Sequence, residues 1–492
     1  MNSSPMIPSL SSVDRRHPLA RLLNAAESNP RSIALENEQI SVTYEEFVGR
    51  IMRLAAAFRR DAAMGRVLFS LNKGLDAYAA PFAAMAVGAV YCPLNPDLPL
   101  RRRLSVGEVF EPDVILTDQP EDWEAHPQGS RVFGPDEIDE VAEVPADLEL
   151  AIDDRPVYVI FTSGSSGDPK GVVIPLTGLC HYLDWAVPAL GVGPGSRCSQ
   201  HPNLGFDLSV LDVFASLCSG ATLIPLSSTM DRMFPGRAIE RYAIDTWVSV
   251  PSVVDVIARA GDLKPERLRS LRLMVFCGEP LRRPHCQAIF DNTEHCRVLN
   301  TYGPTEATVS CTVVEVTREN LDDISGESVA IGDPIGDMSL GLDEGDEGEL
   351  VISGPQVAHG YWMDPEATVR VFDPASRSYR TGDWVRREGR NMFVTGRIDR
   401  QVKIRGHRLE LGEVETRARE VSGGRAVAAL VRNESVLLVV EGVVTDPVEF
   451  RSALSGVLPD YMVPSEVVGI SAIPRTPNDK IDYRTLEDVY AR

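Results

Sequence analysis

Over roughly the first two-thirds of the chain, short runs of β-branched and aromatic residues alternate with longer stretches whose apolar positions recur every three or four residues. The runs VLFSL, AVYCPL, VILTD, VYVIFTS, ATLIPL, TWVSV and LMVFCG are apolar at nearly every position. That is how parallel strands buried on both faces read, and the amphipathic stretches between them supply the crossover helices that parallel strands need. An α/β class is predicted. From Gly341 the texture changes to short strands broken by Gly and Asp, as in GELVISGP and YRTGDWVRREGRNMFVTGRIDR, which predicts antiparallel pairing. Beyond Asp399 a smaller unit is expected, with a helix from near Leu411, strands at AVAALVR and VLLVVEGVV, a helix from Pro447, and a last strand and loop. Neither an internal repeat nor a long Pro/Gly/Ser linker occurs, so two domains, 1–398 and 400–492, are expected to meet at a short hinge.

Ala77–Leu94 is 18 uncharged residues long, close to a membrane span. It is alanine-rich and carries Pro81, Gly88 and Pro93, so a packed helix followed by a buried strand is the better reading. The composition, 43% hydrophobic and 24% charged, is that of a folded protein, and 492 residues exceed one hydrophobic core. A net charge of -22 argues against nucleic acid as a partner. Of 13 Lys/Arg and 14 Asp/Glu over 400–492 almost no net charge results, so the acidity lies in the first 399 residues. Eight scattered cysteines without a CxxC pair read as reduced thiols, and the first twelve residues lack the features of a signal peptide. A cytoplasmic protein with no membrane partner is expected.

The stretch YVIFTSGSSGDPKGVV places a small-residue turn between two apolar runs. Such a turn after a strand exposes backbone N–H groups that can surround phosphate oxygens, and Lys170 adds a cation. It is no Walker A loop, because Pro169 precedes the lysine and Gly171 follows it. By itself the stretch reads equally as a surface turn.

Four further stretches accompany it in order: NTYGPTE at Asn300–Glu306, YRTGD at Tyr379–Asp383, GRIDRQVKIRGHRLE at Gly396–Glu410 and PRTPNDKID at Pro474–Asp482. Together with TSGSSGDPKG these motifs resemble the core motifs of the adenylate-forming superfamily. Within it they are most similar to the amino-acid adenylation enzymes of nonribosomal peptide synthesis and to the D-alanine carrier protein ligases. The resemblance runs from about Thr43 to the C-terminus. It implies a large N-terminal domain of two α/β subdomains plus a small β-barrel, and a small mobile α+β C-terminal domain hinged at Asp399.

The reaction implied by the resemblance is attack of a substrate carboxylate on the α-phosphorus of ATP, with loss of pyrophosphate and formation of an acyl-adenylate. All participants are anions, so catalysis rests on positioning and charge neutralisation. The resemblance implies that Thr162, Ser163, Gly164, Ser165, Ser166, Gly167 and Lys170 hold the phosphates and that Glu306 ligates Mg2+. It likewise sets Tyr302 against adenine, with Asn300 near its amine and Gly278 on the other face, and puts Thr301, Gly303 and Thr305 in the nucleotide site. Asp383 would accept from the ribose hydroxyls with Arg397 beside it, although by themselves these residues read as a turn aspartate and a surface cation. Lys480 is the implied catalyst, its ammonium reaching both carboxylate and α-phosphoryl oxygens. The family's usual acceptor is a phosphopantetheine thiol, and its C-terminal domain swings about the hinge to admit it. No carrier motif follows Lys480, so a discrete carrier protein is expected as partner.

GFDLSVLDVFASL bears on the acyl group. Asp207 precedes Leu208, Leu211, Phe214 and Leu217 at helical spacing, so without context it is an N-cap aspartate. In amino-acid-activating relatives an aspartate here pairs with the substrate ammonium. The family's pocket positions carry over to Leu208, Leu211, Ser249, Val275, Cys277, Thr301, Val309 and Ser310, beside Asp207 and Lys480. Two leucines and two valines suggest a small apolar cargo, alanine or something close to it. Proline or a short β-amino acid comes next, and an acyl-CoA ligase of the same superfamily is the rival activity. GVGPGS at Gly191–Ser196 reads as a turn, and no HxxxH or GxSxG arrangement points to a zinc or serine hydrolase.

Overall fold

The computed structural model describes residues 14–61, 65–124, 129–138, 148, 150–164, 169–343, 345–404, 406–476 and 481–491. They fall into two compact units. One holds the chain up to Asn95, Phe110–Ile160 and Gly171–Ile398; the other holds Pro96–Val109, Phe161–Lys170 and the chain from Asp399 onward.

Each of the seven apolar runs forms a strand. Arg66–Ser70, Val90–Pro93, Val114–Thr117 and Pro156–Thr162 belong to a seven-stranded sheet, and Thr222–Pro225, Thr246–Ser249 and Leu273–Phe276 to a nine-stranded one. Pairing among these strands is parallel. Antiparallel strands close both ends of the nine-stranded sheet, Ser41–Thr43 at one and Thr312–Val316 followed by Asp333–Pro334 at the other. The run Ala77–Leu94 is the buried helix Leu75–Ala86 followed by the strand Val90–Pro93, and the helix continues through Pro81. Among the described residues no helix is long and apolar enough to cross a membrane. The stretch after Gly341 lies in a five-stranded antiparallel sheet made of Ser339–Leu342, Glu347–Ser353, Phe372–Asp373, Ser378–Glu388 and Asn391–Arg397. All eight cysteines are free and buried.

In the nine-stranded sheet, Arg197–Gln200, Thr246–Ser249, Leu273–Phe276 and Arg297–Tyr302 are consecutive parallel neighbours. Their carboxyl ends therefore lie along one edge, where open α/β sheets place their ligands. The segments leaving that edge are the ones that begin Asp207, Val250, Cys277–Gly278 and Gly303–Glu306.

The second unit has its own core. Strands Val427–Arg432, Ser435–Glu441 and Glu466–Ile470 form a sheet whose first two strands are buried on both faces. Val427, Ala429, Val436 and Leu438 face one apolar cluster with Val414 and Leu454, while Ala428, Leu430, Leu437 and Val439 face another with Ile473 and Leu486. This is the period-two alternation of a strand with apolar residues on either side. The helix Tyr483–Tyr490, which contributes Leu486, stands where the sequence reading expected a loop.

Candidate active site

The turn after strand Pro156–Thr162 is described only in part. Thr162 ends the strand and donates through Oγ1 to the Lys170 carbonyl at 3.5 Å, and Ser163 is buried. Ser165, Ser166 and Gly167 lie outside the described residues, as does Lys480. Lys170 opens the following strand, Lys170–Pro175.

Asp383 and Arg397 are paired across the antiparallel strands Ser378–Glu388 and Asn391–Arg397. The turn and surface readings of these two residues are corrected here: Asp383 is 7% exposed inside a strand, and Arg397 is ion-paired with it. The misleading TGD signature has a physical origin, because Gly382 takes φ +71° and the register of this strand pair shifts just beyond, between Trp384 and Val385. Arg397 Nη1 donates to Asp383 Oδ1 and Tyr302 OH donates to Asp383 Oδ2. Arg397 Nη2 also reaches the Thr381 carbonyl at 3.2 Å, and Thr381 Oγ1 accepts from the Asp383 N–H at 3.0 Å. Burial, and next the Asp383 charge, hold the Tyr302 phenol far above its ordinary pKa, so it stays a neutral donor. A carboxylate offers about four lone-pair directions, which leaves Asp383 able to accept from a pair of vicinal hydroxyls as well.

Strand Arg297–Tyr302 delivers the NTYGPTE motif. Asn300 Nδ2 donates to the Ala330 carbonyl at 2.9 Å and Thr301 Oγ1 to the Phe276 carbonyl at 3.0 Å. Gly303 has no room for a side chain: a Cβ there would stand 2.5 Å from Ser310 Cα. Gly278, at φ +93°, is a second position that a glycine suits best. Glu306 is 1% exposed in a single 3-10 turn, Thr305–Ala307, and its Oε1 accepts from Tyr361 OH at 3.0 Å. Thr308 and Val309 then follow with φ of +54° and +68°. For β-branched residues this is strained backbone, costing on the order of 1–3 kcal/mol each. The Ser310 N–H donates back to the Thr308 carbonyl at 2.8 Å, closing a γ-turn about Val309.

Asp207 stands at the N-cap position of helix Leu208–Leu217, yet its side chain makes no capping hydrogen bond. Its Oδ2 accepts instead from Thr305 Oγ1 at 2.6 Å. Leu208, Leu211, Ser249, Val275, Cys277, Thr301, Val309 and Ser310 are all buried. Cys277 Sγ lies 3.8 Å from the Val309 carbonyl, and Ser249 Oγ accepts from Trp247 Nε1 at 2.9 Å and donates to the Val250 carbonyl at 3.0 Å. The structure thus brings Asp207, Cys277, Val309 and the NTYGPTE motif together.

A carboxyl that sequence reasoning passed over lies on the same helix. Asp212 is 1% exposed, and burial raises its pKa well above the usual carboxylate range although the Lys73 charge opposes the shift. Nearby, burial pushes Lys73 down to about 7, and its Nζ donates to the carbonyls of Gln200 and His201 at 3.0 and 2.8 Å. The available signal was an aspartate within the otherwise uncharged run LSVLDVFASL. Among the described residues no cluster of three or more His, Cys, Asp or Glu could hold a metal by itself.

Residues 22–362 match the family described as AMP-binding enzyme. A D-alanine--D-alanyl carrier protein ligase of Staphylococcus aureus is 30% identical over 480 residues, covering 94% of this chain and 97% of the relative. Among solved structures, the Vibrio cholerae adenylation domain AlmE in complex with glycyl-adenosine-5'-phosphate superposes with a TM-score of 0.83 at 25% identity, covering 99% of both chains. IdnL1 superposes with a TM-score of 0.77 at 28% identity, covering 93% of this chain and 97% of its own.

Proposed function

The chain belongs to the AMP-binding enzyme family, and from that premise we propose that it is a ligase that adenylates a small, alanine-like amino acid with ATP and passes it to a separate carrier protein. The amino-acid carboxylate attacks the α-phosphorus, the bond to pyrophosphate breaks, and an aminoacyl-adenylate results. A phosphopantetheine thiol on the carrier then attacks the acyl carbon and AMP leaves. The observation that carries this reading is the Thr305–Asp207 hydrogen bond. It ties the acid suited to a substrate ammonium to the residue beside Glu306, so the amino-acid end and the phosphate end of the site are set by one contact.

In this reading Asp207 binds the ammonium, while the uncharged wall of Leu208, Leu211, Val275, Cys277 and Val309 limits the size of the cargo's side chain. The carrier-ligase relative and the glycyl-adenylate bound to AlmE both support a small amino acid. Tyr302, kept neutral, orients Asp383 for the ribose hydroxyls, with Arg397 completing the corner. A buried carboxylate such as Glu306 fits magnesium, which takes most of its ligands from phosphate oxygens and water. When bound, the ion supplies charge neutralisation at those oxygens. The turn Thr162–Gly167 with Lys170 is assigned to the phosphates, and Lys480 to the charge that develops as the carboxylate attacks.

The test is exchange of labelled pyrophosphate into ATP across a panel of glycine, both enantiomers of alanine and serine, 2-aminobutyrate, proline and β-alanine. Exchange is expected to depend on the amino acid, to peak with a small α-amino acid, and to fall about a hundredfold or more in Lys480→Ala. Exchange driven equally well by carboxylic acids without an amine, or efficient acyl transfer to free coenzyme A, would overturn the assignment in favour of an acyl-CoA ligase.

A further inference from the structure

The strained γ-turn at Thr308–Ser310 is spanned from outside by the side chain of Gln356. Gln356 is 0% exposed and comes from the turn after strand Glu347–Ser353. Its Nε2 donates to the Ala307 carbonyl at 3.2 Å and to the Ser310 carbonyl at 2.8 Å, one on each side of the two left-handed residues. Its backbone carbonyl accepts from Thr308 Oγ1 at 2.6 Å. Three hydrogen bonds from a single residue thus span the turn.

The orientation of that amide is itself fixed. His181 Nε2 accepts from the Asp337 N–H at 3.2 Å, so the ring proton sits on Nδ1, which donates to Gln356 Oε1 at 3.0 Å. The amide oxygen is thereby turned toward His181 and both amide hydrogens toward the turn. The next residue, Tyr182, pairs its hydroxyl with Ser310 Oγ at 3.1 Å. Gly178, one turn earlier on the same helix, leaves no spare space: a Cβ there would come within 3.2 Å of the Pro355 carbonyl oxygen and of Thr308 Oγ1.

We propose that Gln356 is a positioning residue for the amino-acid site, clamping the Thr308–Ser310 turn so that Val309 and Ser310 present a wall of fixed shape, with His181 setting the direction of the clamp. Backbone held in a sparsely populated region persists only where its surroundings over-determine it. Without the two amide donors the turn relaxes toward ordinary φ values and the wall moves, while Asp383 and Arg397, on other strands, keep their places. The proposal rests on the reading that Val309 and Ser310 face the amino acid.

Pyrophosphate exchange with varied amino acid and varied ATP separates the possibilities. In Gln356→Leu, and in Gln356→Met, which keeps the length of the side chain, the KM for the preferred amino acid is expected to rise about tenfold or more, against less than threefold for ATP. Preference for alanine over 2-aminobutyrate should narrow by a similar factor. His181→Leu should show part of the same effect and His181→Asn, which restores a donor toward Gln356, should recover most of it. If Gln356→Leu does not fold, Gln356→Met and the His181 pair decide. Unchanged KM values with less active protein mark a purely structural residue and overturn the proposal, as does an equal rise for both substrates. A wild-type protein without amino-acid-dependent exchange is a different result, because it refutes the functional assignment itself.

Discussion

His17 reports how burial can make a residue sensitive to pH. It is 1% exposed and caps helix Pro18–Ser28, its Nδ1 accepting from the Leu19 N–H at 3.2 Å. An accepting nitrogen must be unprotonated, and burial, helped by the charge of Arg155, pushes the imidazole down to about 4. The unfolded chain protonates near 6.5. Between these values the unfolded state binds the additional proton, so the stability due to neutral His17 is complete above about pH 6.5 and is lost as the pH falls through about 4. Fully developed, the loss approaches about 3 kcal/mol. His17→Asn keeps a capping acceptor and removes the titration. Its urea midpoint is expected to fall less than that of the wild type between pH 7 and pH 4.5; an identical fall in both proteins would show that His17 is not the group responsible.

At the scale of elements, Gly303 joins the NTYGPTE motif to the strained turn. The Cys311 N–H donates to the Tyr302 carbonyl at 2.8 Å, and this closure brings the Ser310 and Cys311 backbone against Gly303. In Gly303→Ala the added methyl would meet Ser310 Cα at 2.5 Å and Cys311 N at 2.9 Å, both backbone atoms that cannot swing aside. The substitution is expected to destabilise by about 1–3 kcal/mol and to lower exchange at least tenfold; a variant with the wild-type melting temperature and rate would contradict the packing argument. The seven buried strands were legible because parallel strands covered on both faces have no polar side to interrupt the run. Helix Tyr483–Tyr490 was not, since Leu486 is its only buried residue and the remaining signal was the Asp482 cap on the Thr485 N–H at 3.1 Å. The motif residues announced themselves as short contiguous strings. Gln356 did not, because its partners His181 and Ser310 lie 175 and 46 positions away and no local spacing records them.

At the scale of the whole molecule, the chain passes between its two compact units at several places, the last of them between Ile398 and Asp399. Two half-reactions that need different groups beside the same acyl carbon require either two sites or one site reorganised in between, and a single set of adenylation motifs favours reorganisation at this passage. Proline at 399 would lock φ near −65° and press Ile398 into extended backbone, restricting the chain at this passage. Asp399→Pro is therefore expected to lower loading of a phosphopantetheinylated carrier protein at least tenfold while pyrophosphate exchange drops by less than about half. Asp399→Ala serves as the control, because it removes the carboxylate that accepts from the Gln401 N–H at 3.2 Å and leaves the backbone free. If both substitutions slow loading alike, the side chain and not the backbone is what matters. If Asp399→Pro depresses exchange and loading by the same factor, both steps use one arrangement of the chain, and the argument for reorganisation at 399 fails.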